Sequence, residues 1–190
     1  FLEVIIGNNF DNDALKILKK KKNLRLIDAS NFSLSGVLNF NSANENILVQ
    51  SEDRKIFTKK DFKIVSKIKP SKTQFDDLIF AFNICRYVKS NAIVLTSDKT
   101  TIGIGSGQPS RLDSCQIAID KMRKFTKPYA DIVAASDAFF PFIDGIEKLV
   151  QSGVKGVIQP AGSIRDKEVI KFANETGTTL VFSKTRHFRH

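Results

Sequence analysis

Residues 131–183 read DIVAASDAFFPFIDGIEKLVQSGVKGVIQPAGSIRDKEVIKFANETGTTLVFS, and this stretch decides the fold. Three short runs rich in Val, Ile and Ala or Thr, at Ile132–Ala135, Val154–Ile158 and Thr179–Phe182, enclose two segments with helical spacing, Asp144–Gln151 and Arg165–Glu175. Short strands that alternate with helices cannot be joined as hairpins. They predict βαβ units, hence parallel pairing and helices layered on a sheet.

The preceding residues extend the same architecture. Leu112, Cys115, Ile119 and Met122 form one apolar stripe behind Ser110, a good N-cap, with Asp113 three positions on to close a capping box. Ala92–Thr96 and Thr101–Gly105 flank the polar turn Ser97-Asp98-Lys99 and predict a β-hairpin. Phe75, Leu78, Ile79, Phe82 and Cys85 follow an i, i+3, i+4, i+7 spacing within Ser71–Lys89. Asp76 and Asp77 are expected in the first turn and Arg86 and Lys89 in the last, so pattern and dipole both predict one helix. The N-terminal third reads strand, helix, strand at Leu2–Ile6, Asp11–Lys20 and Leu24–Ile27. An irregular Ser-, Asn- and Gly-rich segment follows over Ser33–Asn46, then a strand at Ile47–Gln50.

Composition sets the class. The 190 residues, 42% hydrophobic and 26% charged, suffice for one full domain or two small ones and exclude disordered, collagen-like and fibrous chains. No run approaches the roughly 20 apolar residues of a membrane span, and no secretory signal is visible. Cys85 and Cys115 cannot staple a domain of this length, which fits a reducing, cytoplasmic setting. Because the sequence opens on Phe1 in an apolar run, its parent is expected to have been cut upstream. The net charge of +10 admits nucleic acid, an anionic membrane face or small polyanions as partners. Lys19 to Lys22, Lys59, Lys60, Lys63, Lys67 and Lys69 carry much of it without interleaved aromatics, and read as solvated faces and loops.

Ligands of open parallel sheets bind beyond the carboxyl ends of the strands, and three such places stand out. In Ser136-Asp-Ala-Phe139-Phe140-Pro-Phe142-Ile-Asp144-Gly145, three phenylalanines occupy a loop. They form either a wall for a flat ligand or a plug for the core. Asp144, with Glu147 three residues on, reads either as a helix cap or as a partner for the amino edge of a heterocycle. In Gln159-Pro-Ala-Gly-Ser163-Ile-Arg165-Asp166, a tight turn enters a helix with Ser163 as cap, and free N–H groups there suit an anion. The ending Arg186-His187-Phe188-Arg189-His190 is either a frayed tail or a phosphate clamp. Gly103, Gly105 and Gly107 lack the spacing of a dinucleotide fingerprint, although glycines allow backbone to approach a ligand. With no C-x-x-C pair, no His-x-Glu and both histidines near the C-terminus, no metal site is expected.

Five motifs in series, Val88-Lys-Ser-Asn91-Ala-Ile-Val, Gly103-Ile-Gly-Ser-Gly-Gln-Pro-Ser-Arg111, Ser136-Asp-Ala-Phe-Phe-Pro-Phe, Gln159-Pro-Ala-Gly-Ser-Ile-Arg-Asp and Arg186-His-Phe-Arg-His, resemble one family. It is the bifunctional purine-biosynthesis enzyme that joins AICAR transformylase to IMP cyclohydrolase. The motifs cover Asp77 to His190, and Phe1 to Ser51 fits more loosely. By this resemblance residues 1–190 are expected to be the C-terminal half of the transformylase region. The resemblance implies that the cyclohydrolase domain and the first transformylase subdomain, which in the family carries the catalytic Lys-His pair, lie outside residues 1–190.

The resemblance implies a cytidine-deaminase-like three-layer α/β/α fold without zinc, with a mixed sheet ending in the βαβαβ unit. It implies formyl transfer from 10-formyltetrahydrofolate to the 5-amino group of AICAR, with catalytic positioning and substrate binding by Asn91 and nucleotide contacts from Arg111 and Arg186. Folate contacts would fall on Leu112, Phe139, Asp144, Gly145, Ser163 and Ile164; some members carry isoleucine where Leu112 stands. The implied partners are AICAR, a folate cosubstrate, the upstream part of the same enzyme and a second subunit in a homodimer. The other function consistent with the residues is a stand-alone basic module for nucleotides or single-stranded RNA.

Overall fold

The computed structural model describes residues 2–32, 38–124 and 129–190. The chain divides into two compact units, Phe1–Glu52 and Asp53–His190. In the first, β1 (Val4–Gly7) pairs in parallel with β2 (Arg25–Asp28) through α1 (Asn12–Leu18), whose N-cap Asp11 accepts from Ala14 N at 2.7 Å. A hairpin follows, β3 (Leu38–Ala43) with β4 (Asn46–Ser51). This corrects the irregular reading of Ser33–Asn46 for residues 38–43; residues 33–37 lie outside the described residues. Every β3 side chain is exposed. No buried face imposes an alternating pattern there, so composition conceals a strand made by its ladder to β4.

The second unit holds a six-stranded sheet in the order β5 (Phe62–Ile64), β10 (Thr179–Ser183), β9 (Gly156–Pro160), β8 (Val133–Ser136), β6 (Ile93–Ser97), β7 (Thr100–Gly105). β8, β9 and β10 are parallel; β5, β6 and β7 each run antiparallel to their neighbours. The C-terminal βαβαβ unit and the hairpin are therefore as expected. β5 is an addition that three residues with no turn signals did not announce.

Alternation along the strands sorts the core into two layers. Val94, Val133, Ala135, Ile158 and Val181 face α2 (Lys72–Cys85) through Leu78, Ala81, Phe82 and Cys85. Ile93, Leu95, Ala134, Val157 and Leu180 face α3 (Arg111–Met122), α4 (Asp144–Gln151) and α5 (Asp166–Glu175). One helix on one face and three on the other make the three-layer α/β/α arrangement. The free cysteines sit in opposite layers, and burial pushes the Cys115 thiol up to about 12.

Three local expectations change. α2 begins on its cap Ser71, which accepts from Gln74 N at 3.1 Å, but ends at Cys85. Asp76 and Asp77 thus lie beyond the first turn. Asp77 is buried, burial raises its pKa, and its carboxylate accepts from Lys99 N (2.9 Å), so it braces the hairpin turn instead of the helix dipole. Gly103 and Gly105 admit helix backbone and no ligand: a Cβ there would lie 2.1 Å from Ala118 O and 1.9 Å from Ser114 O.

Candidate functional site

The topology brings distant residues to one edge. β8, β9 and β10 are parallel, so their carboxyl ends coincide, and the loops after them carry Asp137 and Phe139, Gly162 and Ser163, and Arg186. β6 runs the other way with Ile93 opposite Ser136, which delivers Asn91 to the same edge. β7 returns to it at Gly105, opposite Ile93, and the chain turns into α3 at Arg111. Ser110 caps this helix by accepting from Asp113 N at 3.4 Å.

At this edge Arg111 spreads its guanidinium over three partners. Nη2 donates to Asn91 Oδ1 (2.7 Å) and to Asp137 Oδ1 (3.2 Å), and Nη1 donates to Phe139 O (3.1 Å). The Arg111 side chain is 13% exposed and that of Asp137 0%. Asn91 is held at its other end, where Nδ2 donates to Gln108 O (2.8 Å) and Pro109 O (2.9 Å). Its backbone carbonyl accepts from Ser114 Oγ at 2.7 Å.

The loop phenylalanines divide. Phe140 is a core plug, 1% exposed, against which a Cβ on Gly145 would come within 2.6 Å. Phe139 is half-buried with the Arg186 guanidinium 4.8 Å from its ring centroid, and the exposed Phe142 carries Arg165 at 4.6 Å. Arg186 also borders Gly162, whose added Cβ would lie 3.9 Å from Nη2. Asn91, Arg111, Phe139 and Arg186 are thus linked by direct contacts, through Asn91–Arg111, Arg111–Phe139 and Phe139–Arg186. Asp144 and Ile164 are exposed nearby in sequence to these groups, Leu112 and Ser163 are half-buried, and Gly145 is buried.

Several sequence readings require correction. Asp144 is the first residue of α4 and no N-cap; its Oδ1 accepts from Gly145 N (2.7 Å), and Ile143 occupies the cap position. The N–H groups of the Gly162 turn are not free for an anion, because Asp166 accepts from Gly162 N (2.8 Å) and Ser163 N (3.2 Å). A carboxylate from the helix itself fills the role a ligand would play. Ser163 Oγ accepts from Arg165 N (3.1 Å), yet α5 begins only at Asp166.

The C-terminal segment is no frayed tail. Ser90 N donates to Arg189 O (2.9 Å), Arg189 N to Ser90 Oγ (3.1 Å) and His187 N to Asp137 O (2.9 Å). His187 does not join a phosphate clamp. Its ring is buried against Phe57 and Phe82, with Nδ1 2.5 Å from Asp53 Oδ2. Burial depresses its pKa below the usual 6.5 despite the opposing pull of Asp53. The unfolded chain therefore binds the proton more readily, and stability is full above about pH 6.5 and falls as the pH drops through the folded value. Relative to His187→Gln, wild type should lose stability as the pH drops below about 6.5. Parallel melting curves for the two proteins over that range would refute this.

Sequence reasoning did not single out Asp137, Asp53 or Asp166. The signal for Asp137 was legible, since a carboxylate directly after the buried run Val-Ala-Ala-Ser invites a search for its cation. Among the described residues, no group of three His, Cys, Asp or Glu is placed to hold a metal ion, and no helix is long and apolar enough to cross a membrane.

Comparison with known proteins agrees with the motifs. The profile of the AICARFT/IMPCHase bienzyme family matches residues 1–121. The bifunctional purine biosynthesis protein PurH of Leptospira biflexa is 44% identical over 191 residues, that of Persephonella marina 43% over 192, and that of Oenococcus oeni 44% over 191. Each alignment covers the whole of this chain and 37% of the relative. A dCMP deaminase from the cyanophage S-TIM5 overlaps 60% of this chain and 98% of its own, with a TM-score of 0.40 and 18% identity. The matched residues run from the first strand to the last turn of α3, which includes the Gly-rich segment and Arg111, and the chain accordingly belongs to the AICARFT/IMPCHase bienzyme family.

Proposed function

We propose that this chain forms the nucleotide- and folate-contacting half of an AICAR transformylase, which transfers the formyl group of 10-formyltetrahydrofolate to the 5-amino group of AICAR. The observation that carries this reading is the connected set Asn91, Arg111, Phe139 and Arg186 at the carboxyl edge of a parallel sheet. Arg186 is exposed beside the aromatic face of Phe139, a suitable place for an anionic nucleotide group, and Asn91 offers a carboxamide of fixed orientation. Phe139, Leu112 and Ile164 would supply apolar contacts to a pterin, with Asp144 for its amino edge, Ser163 lining the approach, and the buried Gly145 holding the Asp144 carboxylate through its N–H. The amine nitrogen attacks the formyl carbon, its proton leaves to a base, and the tetrahydrofolate nitrogen departs with a proton. Base and oxyanion stabiliser are assigned to the upstream part of the enzyme, and a homodimer is proposed for that parent.

In the full-length parent, Arg186→Ala should weaken AICAR binding by about 1.5–3 kcal/mol, the scale of a charged hydrogen bond. Asn91→Ala should lower kcat more than affinity, because orientation acts on the transition state. Unchanged constants in both variants would dismiss the assignment. The 190-residue chain alone should not turn over AICAR. Its two histidines are confined to the C-terminal segment, and His187 is buried against Asp53. Turnover by the isolated chain at a rate near the parent's would contradict this.

A further inference from the structure

Asp137 has a surplus of burial and a shortage of partners. Its side chain is fully buried, Oδ1 takes one 3.2 Å bond from Arg111, and Oδ2 has no hydrogen-bond partner among the described residues. Arg111 Nε is likewise buried without one. An ion pair left incompletely bonded costs more in desolvation than a neutral or apolar pair would in the same place. The fold itself gains little from the carboxylate, since the backbone already fixes this residue: Asp137 N donates to Ala92 O (3.2 Å), and Asp137 O accepts from His187 N (2.9 Å). What the charge does is hold a guanidinium whose other arms reach Asn91 Oδ1 and Phe139 O.

We infer that Asp137 is a positioning residue for formyl transfer, acting through Arg111 to set the Asn91 carboxamide; this rests on the transformylase reading above. The mechanism is geometric. Asn91 Nδ2 is tied to Gln108 O and Pro109 O, so only Oδ1 needs a fixed partner, and Arg111 Nη2 is that partner. Without a counter-charge, the guanidinium would swing toward solvent or substrate anion and release Asn91.

The test is a kinetic double-mutant cycle in the full-length parent, comparing wild type, Asp137→Asn, Asn91→Ala and the combined variant. Asp137→Asn should lower kcat on the order of 10-fold to 100-fold. In the Asn91→Ala background the same change should cost no more than about threefold, because the group it positions is gone. Equal losses with and without Asn91 would reveal a merely structural role and overturn the inference. Where Asp137→Asn does not fold, Arg111→Lys serves instead: it retains the charge opposite Asp137 but lacks the fork that spans three partners. Its kcat loss should likewise vanish in the Asn91→Ala background, and wild-type kcat would overturn the inference. If Asn91→Ala alone leaves kcat unchanged, the site reading itself falls and this role with it. A loss in Asn91→Ala with none in Asp137→Asn removes only the role of Asp137.

Discussion

Arg111→Ala is expected to destabilise the parent protein by about 3–5 kcal/mol, the usual cost of removing one member of a buried ion pair. The side chain it pairs with, Asp137, has no exposure, and among the described residues the 3.2 Å bond from Arg111 is the ion pair its carboxylate makes. The loss is thus dominated by a stranded buried charge, and much less by the lost contact. A second variant separates these contributions. Arg111→Ala combined with Asp137→Ala removes the stranded carboxylate and should recover part of the deficit, a non-additive outcome typical of residues in one network. Calorimetric melting of the parent gives both numbers. A single variant as stable as wild type, or a double variant less stable than the single, would rule out a buried pair at this edge.

Gly105→Ala should cost about 3 kcal/mol or more, through a different mechanism. The added Cβ would fall 1.9 Å from Ser114 O and 2.6 Å from Ser114 C. Both are backbone atoms of α3, so no rotamer change relieves the clash, and helix and sheet must separate. Gly103 makes the same demand at Ala118 O. Gly107 provides the control: it has φ +67°, is exposed, and its nearest obstacle is Lys89 Cβ at 4.0 Å. Gly107→Ala should cost only the left-handed penalty of about 1–2 kcal/mol. If Gly105→Ala melts no lower than Gly107→Ala, the close contact between β7 and α3 is not what the glycine serves. Because Arg111 opens that helix, a shift of α3 would also be felt at the site.

The layered α/β class, the C-terminal βαβαβ unit, the hairpin, the helices behind Ser71 and Ser110 and, through the motifs, the family are all legible in the order of the amino acids. These are carried by short-range physics. Apolar periodicity, a cap within three residues of its N–H group and strand length are all contained in a few turns of chain. Most of the rest is settled by tertiary structure, because those features depend on residues far apart in sequence, whereas the contacts of Asp166 span only three and four positions. Asp137 finds Arg111 across 26 positions and His187 finds Asp53 across 134. The Gly103–Gly105 pair meets a helix where a ligand was the expected neighbour. Of three adjacent loop phenylalanines, one became a core plug and the other two lie under arginines. Asp166 occupies the N–H groups that an isolated turn would have offered to an anion. Local pattern specifies which face of an element is apolar, but the identity of the group on the other side is set only when the sheet order and register place it there.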